Sequence, residues 1–479
     1  MKPATLLRLA LAGTRTDGLR VALTAFSAAL AALAILAALT VHAIPELGDH
    51  VRNERYTANV LDEPGLRFGV ELTLFLLTIP IVALAGQCTR LGAPARDRRL
   101  AGFRLAGATP GQATSIAVAE TGLASLLGTV VGTGVYFALR APLDRPGPDG
   151  LRPLPTDVLP GPVAIAVVVV ALPIISCLAA ALLMRRVAVG PFGVVRTRRR
   201  ERGPLPWPGA LIVLGLVGFS SLTPVRDWFA GRDAITPQWV IVTLGLGGAI
   251  TATLGVVLGA GWISYTTGRL LHRFQRWPSA LLAARRLTTD PWHGARTFAA
   301  LLTCVIVGGG AAIMRGYFEV LRQLELDSIA EVSAGDVYSS DNFYLETMNL
   351  VDLAIVVAVV IASAGLLVAI GESIVSRRRA YAALVASGVP RAVLARSILW
   401  QALAPVVPSI VLALAVGTQL VGPVTGDKVE NYGRSAPFEL PLDAIAAYGL
   451  LAVVAVVAMV GVSLLFLRGS TAVEELRTG

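Results

Sequence analysis

Charge is scarce in this sequence: Asp, Glu, Lys and Arg make up only 15% of 479 residues, against about 25% in an ordinary soluble domain. Cysteine is scarcer still. Cys88, Cys177 and Cys304 are odd in number, lie in or beside apolar stretches and have no close partner in sequence, which excludes a disulfide-stapled scaffold. They read as small buried hydrophobes. The four histidines, at 42, 50, 272 and 293, lack metal-ligand spacing, so no metal site is expected. No Ser/His/Asp or Cys/His arrangement is discernible, and no G-x-x-x-x-G-K-S/T phosphate loop occurs. The chain cannot bind ATP in the usual way, and no cofactor is expected in it.

What the sequence does have is apolar length. Hydrophobic residues are 55% of the chain, and the mean hydropathy is +0.69. Runs such as Val21–Val41, Pro162–Met184 and Ala444–Leu467 are long enough to cross a hydrocarbon core of about 30 Å. These runs exclude a soluble enzyme and a disordered chain. The formal net charge of +10 would suggest a nucleic-acid partner on a soluble protein; beside such runs it does not, and the partner expected is the lipid bilayer. Only Lys2 and Lys428 are lysines, which reads as the codon bias of a GC-rich genome.

Ten spans are expected, roughly at 21–44, 68–88, 112–138, 161–184, 208–223, 238–264, 297–315, 349–374, 393–420 and 443–467. The first is too long for the h-region of a cleavable signal and is expected to be retained. The fifth is short and bounded by Pro204, Pro206, Pro208 and Pro224. Arginine collects in alternate loops, at Arg96, Arg98 and Arg99, at Arg196 and 198–200, at Arg285 and Arg286, and at 377–379. By the positive-inside rule those loops face the cytoplasm, with both termini. This assignment puts 29 Lys/Arg and 7 Asp/Glu on the cytoplasmic face, a net of +22. The outer face carries 12 and 23, a net of −11, with Glu120 counted inside the membrane. The outer segment 316–348 is rich in acids against a lone Arg322; it reads first as the charge asymmetry of a solvated loop, with attraction of a cationic or amphipathic substrate as the alternative. The helical spacing of Phe318, Leu321, Leu324 and Ile329 predicts that the seventh helix continues past the membrane as a stalk.

The sequence repeats itself. The stretch from Arg96 to Pro110 follows span 2, and the stretch from Arg377 to Pro390 follows span 8. At a constant offset of 281, Arg98 meets Arg379, Ala101 meets Ala382, Gly107 meets Gly388 and Glu120 meets Gln401. A second match, Gly18-Leu-Arg20 with Gly294-Ala-Arg296, has an offset of 276 and ends two mixed basic and apolar segments, Leu6–Arg15 and Leu281–Leu287. Both read as short interfacial helices. The chain thus divides into a four-span unit at 1–186, a linker with spans 5 and 6 at 187–275, and a second four-span unit at 276–479. An even number of spans separates the units, so they run parallel. In each repeated segment arginines are followed by small and apolar residues, then by a glycine suited to a left-handed cap and a proline that halts the helix. Such a short helix with hard ends can pass a push from a partner to two spans at once.

These paired segments resemble the FtsX/MacB-like family of ABC-transporter permeases. That family's signature is a helix R-R-R-x-x-x-x-L-x-A-x-G after the second span, a small, Pro or basic turn, and a third span bearing an acid. The second copy is the more similar, Glu120 matches the acidic position, and Gln401 departs from it. The resemblance implies an all-α polytopic fold of two parallel FtsX-like units and a separate ATPase subunit that holds the ATP. It also implies that the repeated segments are coupling helices docking that ATPase. The residues assigned to this role are Arg98, Arg99, Phe103, Leu105, Gly107 and Pro110 in the first copy. In the second they are Arg378, Arg379, Tyr381, Leu384, Gly388 and Pro390. Two coupling helices imply two ATPase copies per chain in a bacterial cytoplasmic membrane. Without a large outer domain, export of an amphipathic peptide, antibiotic or lipid-like compound is the expected activity. The alternative is a non-transporting subunit that relays motion to a sensor kinase or cell-wall hydrolase. A secondary transporter is disfavoured for want of interrupted spans and inverted repeats.

Glu120 is the single acid deep in a span, roughly 14 Å past Pro110 at 1.5 Å per residue. An intramembrane ionisable group is a functional candidate by default. Because its counterpart Gln401 is uncharged, an interhelical hydrogen bond is the simpler expectation, and Glu120→Gln should then leave transport largely intact. Glycines 128 and 132, and 255 and 259, form G-x-x-x-G pairs that predict close helix packing. Glu372 is expected to pair with the arginines at 377–379.

Overall fold

The computed structural model describes residues 15–45, 55–57, 59–62, 64–88, 99, 101–102, 105–147, 150–185, 203–234, 236–274, 276–332, 343–431 and 433–470. Among them, ten helices are long and apolar enough to cross a membrane, and the chain is an all-α, multi-pass membrane protein. Spans 1 to 4 are Arg15–His42, Pro64–Cys88, Pro110–Leu143 and Pro162–Arg185. Span 5 is Trp207–Ser220, continued after a one-residue break by the amphipathic helix Leu222–Ala230. Span 6 runs from Gln238 to Phe274 with a π-helical stretch at Val242–Leu246. Spans 7 to 10 are Pro291–Val332, Phe343–Val375, Arg391–Thr425 and Leu442–Ser470. Between spans 9 and 10 lies a feature the sequence pattern did not suggest, an antiparallel hairpin of β1 (Lys428–Asn431) and β2 (Arg434–Pro437). Its strands are four residues each, too short for periodicity to register.

By their contacts the residues form two units, Met1–Arg200 with Ala364–Ser376, and Glu201–Ser363 with Arg377–Gly479. In the first, span 1 is the central helix. It packs most extensively on span 3 and also meets spans 2 and 4. The reason is Gly128 and Gly132, where a Cβ would overlap the backbone of Ala25 and Ala29; small residues let the two backbones approach. Ala32 and Leu36 of span 1 are fully buried against Val168 of span 4. Thr40 spends its hydroxyl on the Leu36 carbonyl at 2.7 Å and on Tyr136 at 2.6 Å.

The end of this unit away from the arginine-rich loops is stitched by polar side chains. Tyr56 donates to Asp157 at 2.8 Å, and Arg152 and Thr156 both donate to Asp144. Those two donors hold the Asp144 carboxyl below its ordinary value. Arg67 is 4% exposed and donates to the carbonyls of Leu61 at 2.7 Å, Ile44 at 3.2 Å and Pro45 at 3.4 Å. Arg67→Ala removes the donor from the carbonyls of buried Leu61 and Ile44 at once. Each buried group left unsatisfied costs about 1–3 kcal/mol, so a fall of several degrees in the melting temperature of the purified chain is expected; an unchanged value would show that water replaces the guanidinium.

In the second unit span 7 packs on span 9, the same pairing by position as spans 1 and 3. A Cβ on Gly417 would overlap the Ile306 carbonyl, and one on Gly309 would lie 3.1 Å from the Leu414 carbonyl oxygen. Spans 5 and 6 form a pair in which Gly248 lies against Gly215 and Phe219, and Gly255 against Ile212. Span 6 also packs on spans 7 and 9, so spans 5 and 6 belong to this unit by contact. Exposed Trp207 and Trp277 frame the pair at one end and exposed Trp228 and Trp239 at the other, the aromatic belts of a membrane-crossing element. The short helix preceding span 7 is Pro278–Thr289, and it buries Ala280, Ala283, Ala284 and Leu287. Span 7 itself is 42 residues long, about 63 Å at 1.5 Å per residue, and so extends beyond a bilayer core as the stalk its apolar spacing predicts.

Candidate functional site

The second repeated segment forms the helix Arg378–Ala386. It ends as its sequence requires. The Gly388 N–H donates to Val385 and the Val389 N–H to Leu384, both at 3.0 Å, with Gly388 at φ +94°. This is a Schellman cap, and the left-handed residue is glycine because a Cβ there would clash with the backbone. Pro390 is the N-cap of span 9, so one proline both bars continuation of the short helix and starts the next. Arg378 and Arg379 are exposed, and Leu384 is half-buried. Tyr381 is 8% exposed: it faces into the unit, and its hydroxyl accepts from Arg286 Nη1 at 2.7 Å. Tyr381 therefore anchors the segment to the helix Pro278–Thr289, and the free face is left to Arg378, Arg379, Ala383 and Ala386. Burial draws the Arg286 pKa down, an effect the tyrosine opposes, and a guanidinium stays charged throughout.

Of the first segment, the structure describes Arg99, residues 101–102 and residues 105–109; Arg98 and Phe103 lie outside the described residues. Gly107 has φ +94°, the same value as Gly388, so both glycines take the left-handed conformation. Thr109 then caps span 3 reciprocally with Gln112, and Pro110 sits in its first turn. At the common offset Pro110 falls opposite Arg391, one place later than Pro390; the two prolines start their spans from adjacent positions. Leu105 is 92% exposed, more than a solitary leucine gains anything by being, and it stands at the tip of the segment.

Glu120 lies within span 3 and is 4% exposed. Its carboxylate pairs with Arg20 of span 1, itself 5% exposed, and with Arg99 of the first segment at 2.8 Å. The interhelical link expected of Glu120 is thus made by two guanidiniums, a stronger interaction than a neutral hydrogen bond. Gln401 makes no such link among the described residues. Its amide donates to Ser397 of its own helix at 3.1 Å. Arg20 and Arg286 appear in the sequence only within the repeat and a basic loop, with no site role. A signal for the Arg99–Glu120 pair was present: the two become Ala380 and Gln401 in the other copy, lost together as a pair would be.

No group of His, Cys, Asp and Glu among the described residues could hold a metal. Residues 353–472 match the family model described as FtsX-like permease C-terminal. The matched stretch takes in most of span 8, the second repeated segment and spans 9 and 10. Proteins of the family so described generally work with an ABC ATPase. The first copy of the segment lies outside the matched residues. No curated protein matches the chain.

Proposed function

We propose that this chain is the transmembrane subunit of an ABC exporter, in which each repeated segment docks one ATPase subunit, giving two ATPases per permease chain. The observation that carries the reading is the shared geometry of the two copies, each following the second span of its unit and each turned by a glycine at φ +94°. One such segment is what a single ATPase needs; two in one chain supply what a homodimer of single-unit relatives would otherwise supply. The ATP is then held by the partner, and the arginine-rich ends, with both termini, face the cytoplasm across a bacterial cell membrane. In this reading 1–186 and 276–479 are the permease units and 187–275 supplies spans 5 and 6. The short segments between spans on the acidic face favour extrusion of an amphipathic compound over coupling to a large outer partner.

The test is capture and weighing. The tagged full chain, extracted in mild detergent from its own membranes, is expected to bring down an ABC ATPase and to give a native mass of one permease with two ATPases. Two permease chains per complex would overturn the stoichiometry. Capture of a sensor kinase or cell-wall hydrolase, with no compound exported from loaded vesicles, would replace export by a relay role.

A further inference from the structure

Two positively charged side chains from different elements converge on one buried carboxylate in the first unit; among the described residues of the second, the carboxylate of Asp352 takes one arginine, Arg315, and the hydroxyl of Tyr448. Arg20 belongs to span 1, Arg99 to the repeated segment and Glu120 to span 3. We propose that Glu120 is the positioning residue of the first coupling segment. Its carboxylate ties Arg99 of that segment to Arg20 of span 1 and, through its own helix, to span 3, so that a displacement of the segment carries both spans with it. This inference rests on reading the segment as the ATPase-docking element.

Burial gives the tie its stiffness. At 4% and 5% exposure, Glu120 and Arg20 have little water to exchange their partners for, and separating them would leave charges unpaired in a low-dielectric site. Salt screens such a pair far less than it screens a surface pair. Arg99 reaches Glu120 at 2.8 Å from a segment whose Leu105 is 92% exposed, so the segment offers a side chain to a partner while its arginine is held by span 3.

The second copy shows that the tie is a unit. Opposite Arg99 stands Ala380 and opposite Glu120 stands Gln401, while Arg296 stands opposite Arg20. One positive and one negative charge are replaced together, so each set of three carries the same net charge. In that unit the segment is instead held by Tyr381 to Arg286, and Gln401 turns to Ser397 of its own helix. The two segments are anchored by different chemistry, a carboxylate in one and a tyrosine hydroxyl in the other. Neutralising Glu120 should release only the first.

Amide hydrogen exchange on the full chain in lipid nanodiscs tests this without any ATPase. In Glu120→Gln, exchange at residues 101–106, including the Ala106 N–H bonded to the Gly102 carbonyl, is expected to speed up by at least about tenfold. Exchange at Ser387, Gly388 and Val389 of the second segment, and in the buried middle of span 1, should stay as in the parent. Should Glu120→Gln fail to fold because two arginines are left unpaired, the neutral triple Arg20→Gln/Arg99→Gln/Glu120→Gln removes that burden and is expected to give the same local release. Unchanged exchange at 101–106 in either folded variant overturns the proposal, and so does faster exchange spread evenly over unit 1, which would make Glu120 a general stability element. If the parent chain captures no ABC ATPase yet the local release is seen, the docking reading fails and the tie stands.

Discussion

Leu105→Asp combined with Leu384→Asp is expected to abolish recovery of an ABC ATPase with the permease. Leu105 is 92% exposed and has no packing to lose, so its replacement should leave folding untouched while placing a carboxylate in the centre of an apolar docking surface. Loss of a well-packed anchor at an interface costs about 2 kcal/mol or more, roughly 30-fold in affinity. Leu384 is half-buried, so its single variant should lower stability as well as docking. The informative series is therefore Leu105→Asp alone, Leu384→Asp alone and the pair, compared by co-purification and by melting temperature. One ATPase per chain in the Leu105→Asp variant would mean that the sites act separately. Undiminished recovery in the double variant would remove these segments as the docking elements.

Gly128→Leu is expected to prevent assembly of the first unit. A Cβ at 128 would overlap the Ala25 carbonyl of span 1, and the overlap is with backbone, which cannot rotate away. Close approach of spans 1 and 3 is the most extensive packing in that unit, and it also sets the separation at which Arg20 meets Glu120. The cost should exceed about 3 kcal/mol, beyond the usual range of single substitutions, and should appear as low membrane yield and early aggregation on heating. Gly122 serves as a control within the same helix. There the nearest atom to an added Cβ is the Cys177 sulfur, a side chain, so Gly122→Ala should be tolerated once Cys177 is changed to Ala. If Gly128→Leu gave a normally folded chain, the helix pairing described for unit 1 would be wrong.

Much of this architecture was legible because it depends on local properties. A helix long enough to cross a bilayer is a run of apolar residues, and all ten runs correspond to helices. Boundaries moved where proline and glycine act through context. Span 5 gains the amphipathic stretch Leu222–Ala230, whose Trp228 is covered by Arg232 just past its end at 3.7 Å, and span 6 contains a π-helical stretch beside Gly247 and Gly248. The glycine pairs at 128 and 132, and at 255, were legible as close-packing points, yet the identity of the partner helix was not. The β1–β2 hairpin and the polar stitching around Arg67 were not legible either. The hairpin's strands are four residues each, too short for periodicity, and Arg67 is held by backbone carbonyls, which carry no sequence signature.

The sequence alone determined that the chain is a multi-pass membrane protein and that two of its stretches, Arg96–Pro110 and Arg377–Pro390, share a basic start and a glycine at a common offset. Each of these follows from a property one stretch of chain possesses by itself: apolar length, charge density, or the freedom of glycine to take φ +94°. The tertiary structure decided what those segments are attached to. Tyr381 turned inward to Arg286, spans 5 and 6 joined the second unit, and Glu120 found Arg20 in span 1, 100 residues away in sequence. The reason is that an ion pair in a dry interior is selected by which helices can approach, and that approach is set by where a side chain is missing. Charge scarcity says that each buried charge must have a partner; only the packing at Gly128 and Gly132 brings that partner within reach.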